Sequence, residues 1–128
     1  MENNTLKSKL VRYIVAGFPI LYINTFEEDK VDSIISKIAS QKEVYEWNET
    51  FGYINFETKT PLVEDFKFEQ FLDILKTEEM LENKIIILKD IVPYLDDPKI
   101  VSKIKGIAKM INQGVDATLI IVSSTLVI

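Results

Sequence analysis

The sequence predicts an α/β fold: a mainly parallel sheet held between two layers of helices. Three near-continuous apolar runs predict it, at residues 18–24, 84–90 and 118–122. Runs of this kind suit strands covered on both faces, as in parallel sheets. Amphipathic helical stripes alternate with them, which calls for parallel pairing through right-handed crossovers. At 128 residues and 47% hydrophobic composition, the chain suits a single domain with a real core, spanning residues 1–128.

Leu6, Leu10 and Ile14 recur every four residues, with Val11 and Val15 beside them, and form the buried face of a first helix. Asn3, Asn4 or Thr5 caps its start, and Gly17 takes the left-handed position after its end. Lys7, Lys9 and Arg12 lie on the solvated face. The first strand, residues 18–24, carries Pro19 at its beginning, where a missing N–H does no harm. Helix two starts near Glu27 and turns Val31, Ile34, Ile35, Ile38 and Ala39 inward. Residues 44–47 and 53–57 alternate and pair as a hairpin across a turn at 48–52.

Phe68, Phe71, Leu72 and Leu75 mark a third helix that begins near Asp65 and frays between Lys76 and Glu79. The second buried strand follows at residues 84–90. Asp97 as N-cap and Pro98 at the first helical position open the last helix. Ile100, Val101, Ile104, Ile107, Ala108 and Ile111 form its stripe, and Gly114 stops it. The third buried strand, residues 118–122, runs into Ser123, Ser124 and Thr125. An apolar finish at Leu126, Val127 and Ile128 is the mark of a fragment of something longer.

Composition narrows the chemistry. A net charge of −5 argues against nucleic acid as a partner. The chain has no cysteine, so disulfides and thiolate metal sites are excluded. It has no histidine either, which removes the usual general base and the commonest zinc ligand. The polar start Met1-Glu2-Asn3-Asn4 is no signal peptide, and no run approaches the roughly 20 apolar residues of a membrane span. A cytoplasmic location is the expectation.

Ligands of parallel α/β sheets bind beyond the carboxyl ends of the strands. A phosphate there is gripped by bare backbone N–H groups at a helix N-terminus. The turn after the first strand, Thr25-Phe26-Glu27-Glu28-Asp29-Lys30, has no glycine and no Lys-Ser/Thr pair. Its three carboxylates repel an anion. Thr25 with Glu28 reads instead as a capping box. The run ending at Lys89-Asp90 has the shape of a strand whose terminal acid holds Mg²⁺ beside a triphosphate. Without a phosphate loop, Asp90 reads as structural. Ser123 and Ser124 offer hydroxyls with no histidine to activate them. Tyr45, Trp47, Phe51 and Tyr53 read as core packing, with Phe51 in a loop. Tyr94 and Leu95 either tuck under the last helix or meet a partner. The candidate surface is therefore the strand-end edge: Thr25, Glu27, Glu28, Asp90, Tyr94 and Ser123. No catalytic, cofactor-binding or metal-binding residue is assigned.

Several of these residues carry a family likeness. They are Pro19-Ile20-Leu21-Tyr22-Ile23 with Glu27-Glu28 and Val31, then Tyr45, Trp47 and Asn48, then Ile87-Leu88-Lys89-Asp90. Pro93-Tyr94-Leu95-Asp96-Asp97-Pro98 and Leu119-Ile120-Ile121-Val122-Ser123-Ser124 complete the set. On them the chain, over roughly residues 6–128, resembles the N-terminal, non-catalytic region of an AAA-type ATPase group. That group is the uncharacterised plastid and cyanobacterial open-reading-frame kind, also found in bacteria. The resemblance implies a RecA-like, P-loop-NTPase-like topology lacking the P-loop. It implies that the P-loop, the Walker-B acids and the arginine finger belong to a downstream AAA module. ATP and Mg²⁺ then serve the parent protein, with none in this fragment. The implied role is regulatory or interactive, with the downstream module and a protein partner as contacts and neither nucleic acid nor membrane. Residues 55–65 depart from the family pattern, which leaves the strand bounds between Asn48 and Asp65 open.

Two other readings compete. A Mg²⁺-dependent receiver-like phosphoacceptor would use Glu28 or Asp29 with Asp90, and Ser123 as its hydroxyl. A nucleotide-binding fragment would be active only with a neighbouring subunit or downstream module.

Overall fold

The computed structural model describes residues 2–39 and 41–124, with side chains from Leu6 onward. Five strands form one sheet: β1 (Ile20–Asn24), β2 (Glu43–Asn48), β3 (Gly52–Asn55), β4 (Lys84–Lys89) and β5 (Ala117–Ser123). Their spatial order is β1-β5-β4-β2-β3. The first four run parallel in that order, and β3 closes the far edge antiparallel to β2. Helices α1 (Glu2–Ala16) and α2 (Glu28–Ile38) pack on one face. Helices α3 (Phe68–Ile74), α4 (Glu78–Leu81) and α5 (Pro98–Asn112) pack on the other. This is the three-layer, mainly parallel, RecA-like architecture that the sequence implies.

Burial is deepest in the middle. All seven residues of β5 are buried, as are five of the six in β4. Alternate side chains feed the two cores: Ile85, Ile87, Ile120 and Val122 meet α1 and α2, and Ile86, Leu88, Leu119 and Ile121 meet α3 and α5. Each such side chain contributes about 1.5–3 kcal/mol by leaving water, so these two strands hold the layers together. The last helix opens as its sequence dictates: Pro98 occupies the first turn and the Asp97 carboxylate accepts from the Lys99 N–H.

The structure departs from the sequence expectations at several places. The first strand begins at Ile20, two residues late, because Pro19 can only accept: its carbonyl takes the Leu119 N–H. More importantly, β1 is an edge strand and not one covered on both sides, and Tyr22 is 55% exposed. Val11 and Val15 are exposed, since α1 meets the core only through Leu6, Leu10 and Ile14. The helix already runs at Glu2, so Asn3, Asn4 and Thr5 lie within it and do not precede it. The hairpin is present, but its second strand ends at Asn55, where the Asn55 carboxamide accepts from Glu57 and Thr58 and turns the chain. Helix three starts at Phe68, and the segment read as fraying holds the short α4 capped by Thr77. A 3-10 turn at Val92–Asp96 occupies part of the expected loop. Thr125 and residues 126–128 lie outside the described residues.

Candidate functional site

The strand-end edge is built by three chain segments. The turn after β1 enters α2 through Thr25, whose hydroxyl accepts from the Glu27 N–H. It is therefore a local hydroxyl turn and not the expected capping box, and Glu27, the N-cap residue, makes no side-chain cap. The Thr25 N–H in turn donates to the Ser123 carbonyl at 2.8 Å, which locks this turn to the end of β5. Glu27 pairs with Lys30 at the surface. Glu28 points the other way, toward Ser124 Oγ at 3.4 Å and Lys89 Nζ at 3.7 Å.

The end of β4 is the heart of the site. Lys89 is 6% exposed. Its ammonium donates to Asp32 Oδ2 at 2.8 Å and lies 3.3 Å from Glu46 Oε2. Glu46 is 1% exposed, and its other oxygen receives Lys59 Nζ at 2.5 Å. Lys59 also reaches Asp32 Oδ2 at 2.9 Å and lies 4.2 Å over the Phe56 ring. Asn48 donates a further bond to Glu46. Two cations thus sit among three carboxylates, those of Glu28, Asp32 and Glu46. Local backbone geometry delivers them: Lys59 holds a φ of 60° in the turn after β3, and Asp90 a φ of 61° where β4 stops. Such left-handed positions are tolerated best by Asp and Asn among non-glycine residues.

The electrostatics follow from this crowding. Burial pushes Lys89 down, but the hydrogen bond to Asp32 and the charges of Glu46, Asp32 and Glu28 outweigh it and hold the ammonium above the ordinary lysine range. Burial and the charge of Asp90 raise Glu28, against the pull of Lys89. One buried oxygen, Asp32 Oδ1, has no hydrogen-bond partner among the described residues, which is uncommon for a native interior.

Of the six candidate residues, Thr25, Glu28, Asp90 and Ser123 gather around this edge. Glu27 faces solvent. Tyr94 lies apart, in a cleft of about 590 Å³ with Trp47, Phe51 and Phe66. There its hydroxyl donates to Glu49 at 2.9 Å, and burial together with that carboxylate pushes it up to about 12. Ser123 is a buried strand residue. Sequence reasoning missed Asp32, Glu46 and Lys59. Asp32 stands one helical turn after Glu28, and Glu46 is the charged member of an alternating strand. Both patterns were visible, but neither says that the inward-facing charge is paired.

Chemically, the Lys89 ammonium takes the place between carboxylates that a divalent cation would need. Among the described residues no group of three or more metal-ligating side chains could hold a metal ion. A phosphate approaching the turn after β1 would meet carboxylates, and it would find Lys89 already bound on three sides.

Residues 6–128 match the family described as the SpoVK-like AAA ATPase, N-terminal domain. The chain is 32% identical over 122 residues to an uncharacterized AAA domain-containing protein ycf46 of Trieres chinensis, covering 91% of this chain and 24% of that protein. It is 33% identical over 123 residues to the protein of the same name from Guillardia theta, covering 88% and 22%. The chain thus spans about a quarter of the length of these relatives. No solved structure matches it.

Proposed function

Because the chain belongs to the SpoVK-like AAA ATPase N-terminal domain family, a module distinct from a catalytic core, we propose that it serves a larger AAA protein as a regulatory and interaction domain that binds no nucleotide by itself. ATP and Mg²⁺ are then used by a downstream AAA module, which this domain contacts together with a protein partner, in the cytoplasm. Among the described residues no helix is long and apolar enough to cross a membrane.

The observation that carries this reading is Lys89 locked between Asp32 and Glu46 at the end of β4. In a nucleotide site the strand-end lysines and acids must be free to meet phosphate and Mg²⁺. Here Lys89 is already held by Asp32 and Glu46. The turn before α2 adds carboxylates where open amides would be needed. Isothermal titration of the domain with Mg-ATP tests the reading. The expected result is no saturable heat at millimolar nucleotide. One-to-one binding in the low micromolar range would overturn it.

A further inference from the structure

The cleft that holds Tyr94 lies on the α3 and α5 face of the sheet, away from the Lys89 cluster under α2. The hairpin turn, the segment before α3 and the start of α5 enclose its 590 Å³, a size within the ordinary range for ligand sites, about 300–1,000 Å³. Its wall is aromatic and already assembled. The rings of Trp47 and Phe68 lie 5.5 Å apart by centroid, and those of Phe68 and Tyr94 4.8 Å. The Asn48 carboxamide accepts the Phe51 N–H at 2.8 Å, and the turn it fixes leaves Phe51 58% exposed at the rim. Gly52 supplies the left-handed φ of 76° in the same turn. The rim is acidic: Glu49, Asp65, Glu69 and Asp97 line it against one ammonium, that of Lys67. Glu49 accepts from the Tyr94 hydroxyl, which holds its carboxylate beside the rings. Trp47, also lining the cleft, is 3% exposed, and its indole N–H has no hydrogen-bond partner among the described residues. A buried indole N–H is ordinarily bonded.

We propose that this cleft binds a basic segment of a partner protein, by taking one of its arginine side chains over the aromatic wall and against the carboxylates of Glu49 and Asp65. Three observations select that occupant. Aromatic faces attract cations, and four carboxylates against one ammonium favour a cation and oppose an anion. A guanidinium stacks flat on rings, and its forked donors match carboxylate oxygens, which a lysine ammonium does not do. The unpaired Trp47 donor calls for an acceptor. A polypeptide carries backbone carbonyls beside its cation, whereas a small free cation brings none. The net charge of −5 steers the same partner toward the domain.

The inference rests on the reading of this domain as an interaction module and names the chemistry of its partner. It does not need the strand-end site to refuse nucleotide. A Mg-ATP response therefore defeats the silent-site reading and leaves the cleft standing, and failure of the test below does the reverse. The test is fluorescence anisotropy of a fluorescein-labelled glycine–serine peptide carrying three arginines, titrated with the full-length protein and with this chain alone. Both should bind it saturably. The same peptide with citrulline for arginine keeps the shape and loses the charge, and should bind at least about tenfold more weakly. Phe51→Ala alters an exposed side chain and should weaken the arginine peptide at least about threefold. Glu49→Gln with Asp65→Asn keeps an acceptor for Tyr94 and should weaken it at least about fivefold. Trp47 is the chain's one tryptophan, so its single indole N–H resonance reads the cleft directly and should shift along the same binding curve. Absence of saturable binding overturns the proposal, as does equal binding of the citrulline peptide. So does arginine binding that Phe51→Ala or the double variant leaves unchanged, or that leaves the indole resonance in place. Binding by this chain that the full-length protein lacks also overturns it, because the rest of that polypeptide then fills the cleft.

Discussion

The turn after β1 and the turn after β4 stand side by side at the same edge of the sheet and handle charge in opposite ways. After β1 the acids are spread over a solvated helix start: Glu27 pairs with Lys30 in water, and Asp29 is exposed. After β4 the charges are drawn inside, where Lys89 and Glu46 are almost wholly buried and each has more than one partner. Exposed ion pairs are worth about 0–1 kcal/mol, because water competes for both charges. A buried pair is different. Its formation gives little net stability, but removing one member strands the other at a cost of about 3–5 kcal/mol. Substitutions in the first turn therefore cost little stability. The second is fixed by the penalty of breaking it.

Substitutions should reproduce that contrast. Lys89→Met leaves Asp32 and Glu46 with only Lys59 between them, and should cost about 3–5 kcal/mol in urea unfolding. A loss below about 1 kcal/mol would place the cluster with the surface pairs. Raising the pH should act in the same direction. Lys89 and Tyr94 both titrate above their ordinary values in the folded state, Tyr94 at about 12. A group raised in this way stabilises the fold below its unfolded pKa, and that contribution is lost as pH climbs through the folded one. The urea midpoint should therefore fall between about pH 10 and pH 12, and Tyr94→Phe should flatten part of that slope.

The turn after β1 should respond weakly. Thr25→Ala removes one hydroxyl bond to the Glu27 N–H and should cost about 0.5–1.5 kcal/mol, read from the thermal midpoint. Glu28→Gln should have the smallest effect and the opposite sign. Burial and Asp90 raise the Glu28 carboxyl, so its contribution is present below the ordinary glutamate value and is lost as pH rises through the folded one. The amide should then leave stability at pH 7 equal or higher, by less than about 1 kcal/mol, and should remove the corresponding slope from the acid limb.

Much of this fold was legible in the residues. β4 and β5 announced themselves as apolar runs because they are covered on both faces. The stripes of α2 and α5 and the Asp97-Pro98 start were equally plain, since each is decided by local spacing. β1 misled for a physical reason: its composition is that of an interior strand, and composition cannot say which neighbours are present. The site was half legible. The acidic, glycine-free turn could be read directly, because a phosphate loop depends on residues adjacent in sequence. The Lys89 cluster could not. It joins α2, β2, β4 and the turn after β3, and Lys59 comes within reach of Asp32 only through the left-handed backbone turn beyond Asn55.

The most direct test of the closed strand-end site is nuclear magnetic resonance of the domain during titration with Mg-ATP, following the amides of residues 25–29 and the side-chain nitrogen of Lys89. The account predicts that none of these signals shifts saturably at millimolar nucleotide and that the Lys89 ammonium keeps its carboxylate partners. A saturable shift centred on that turn, with Lys89 released from Asp32, would contradict it.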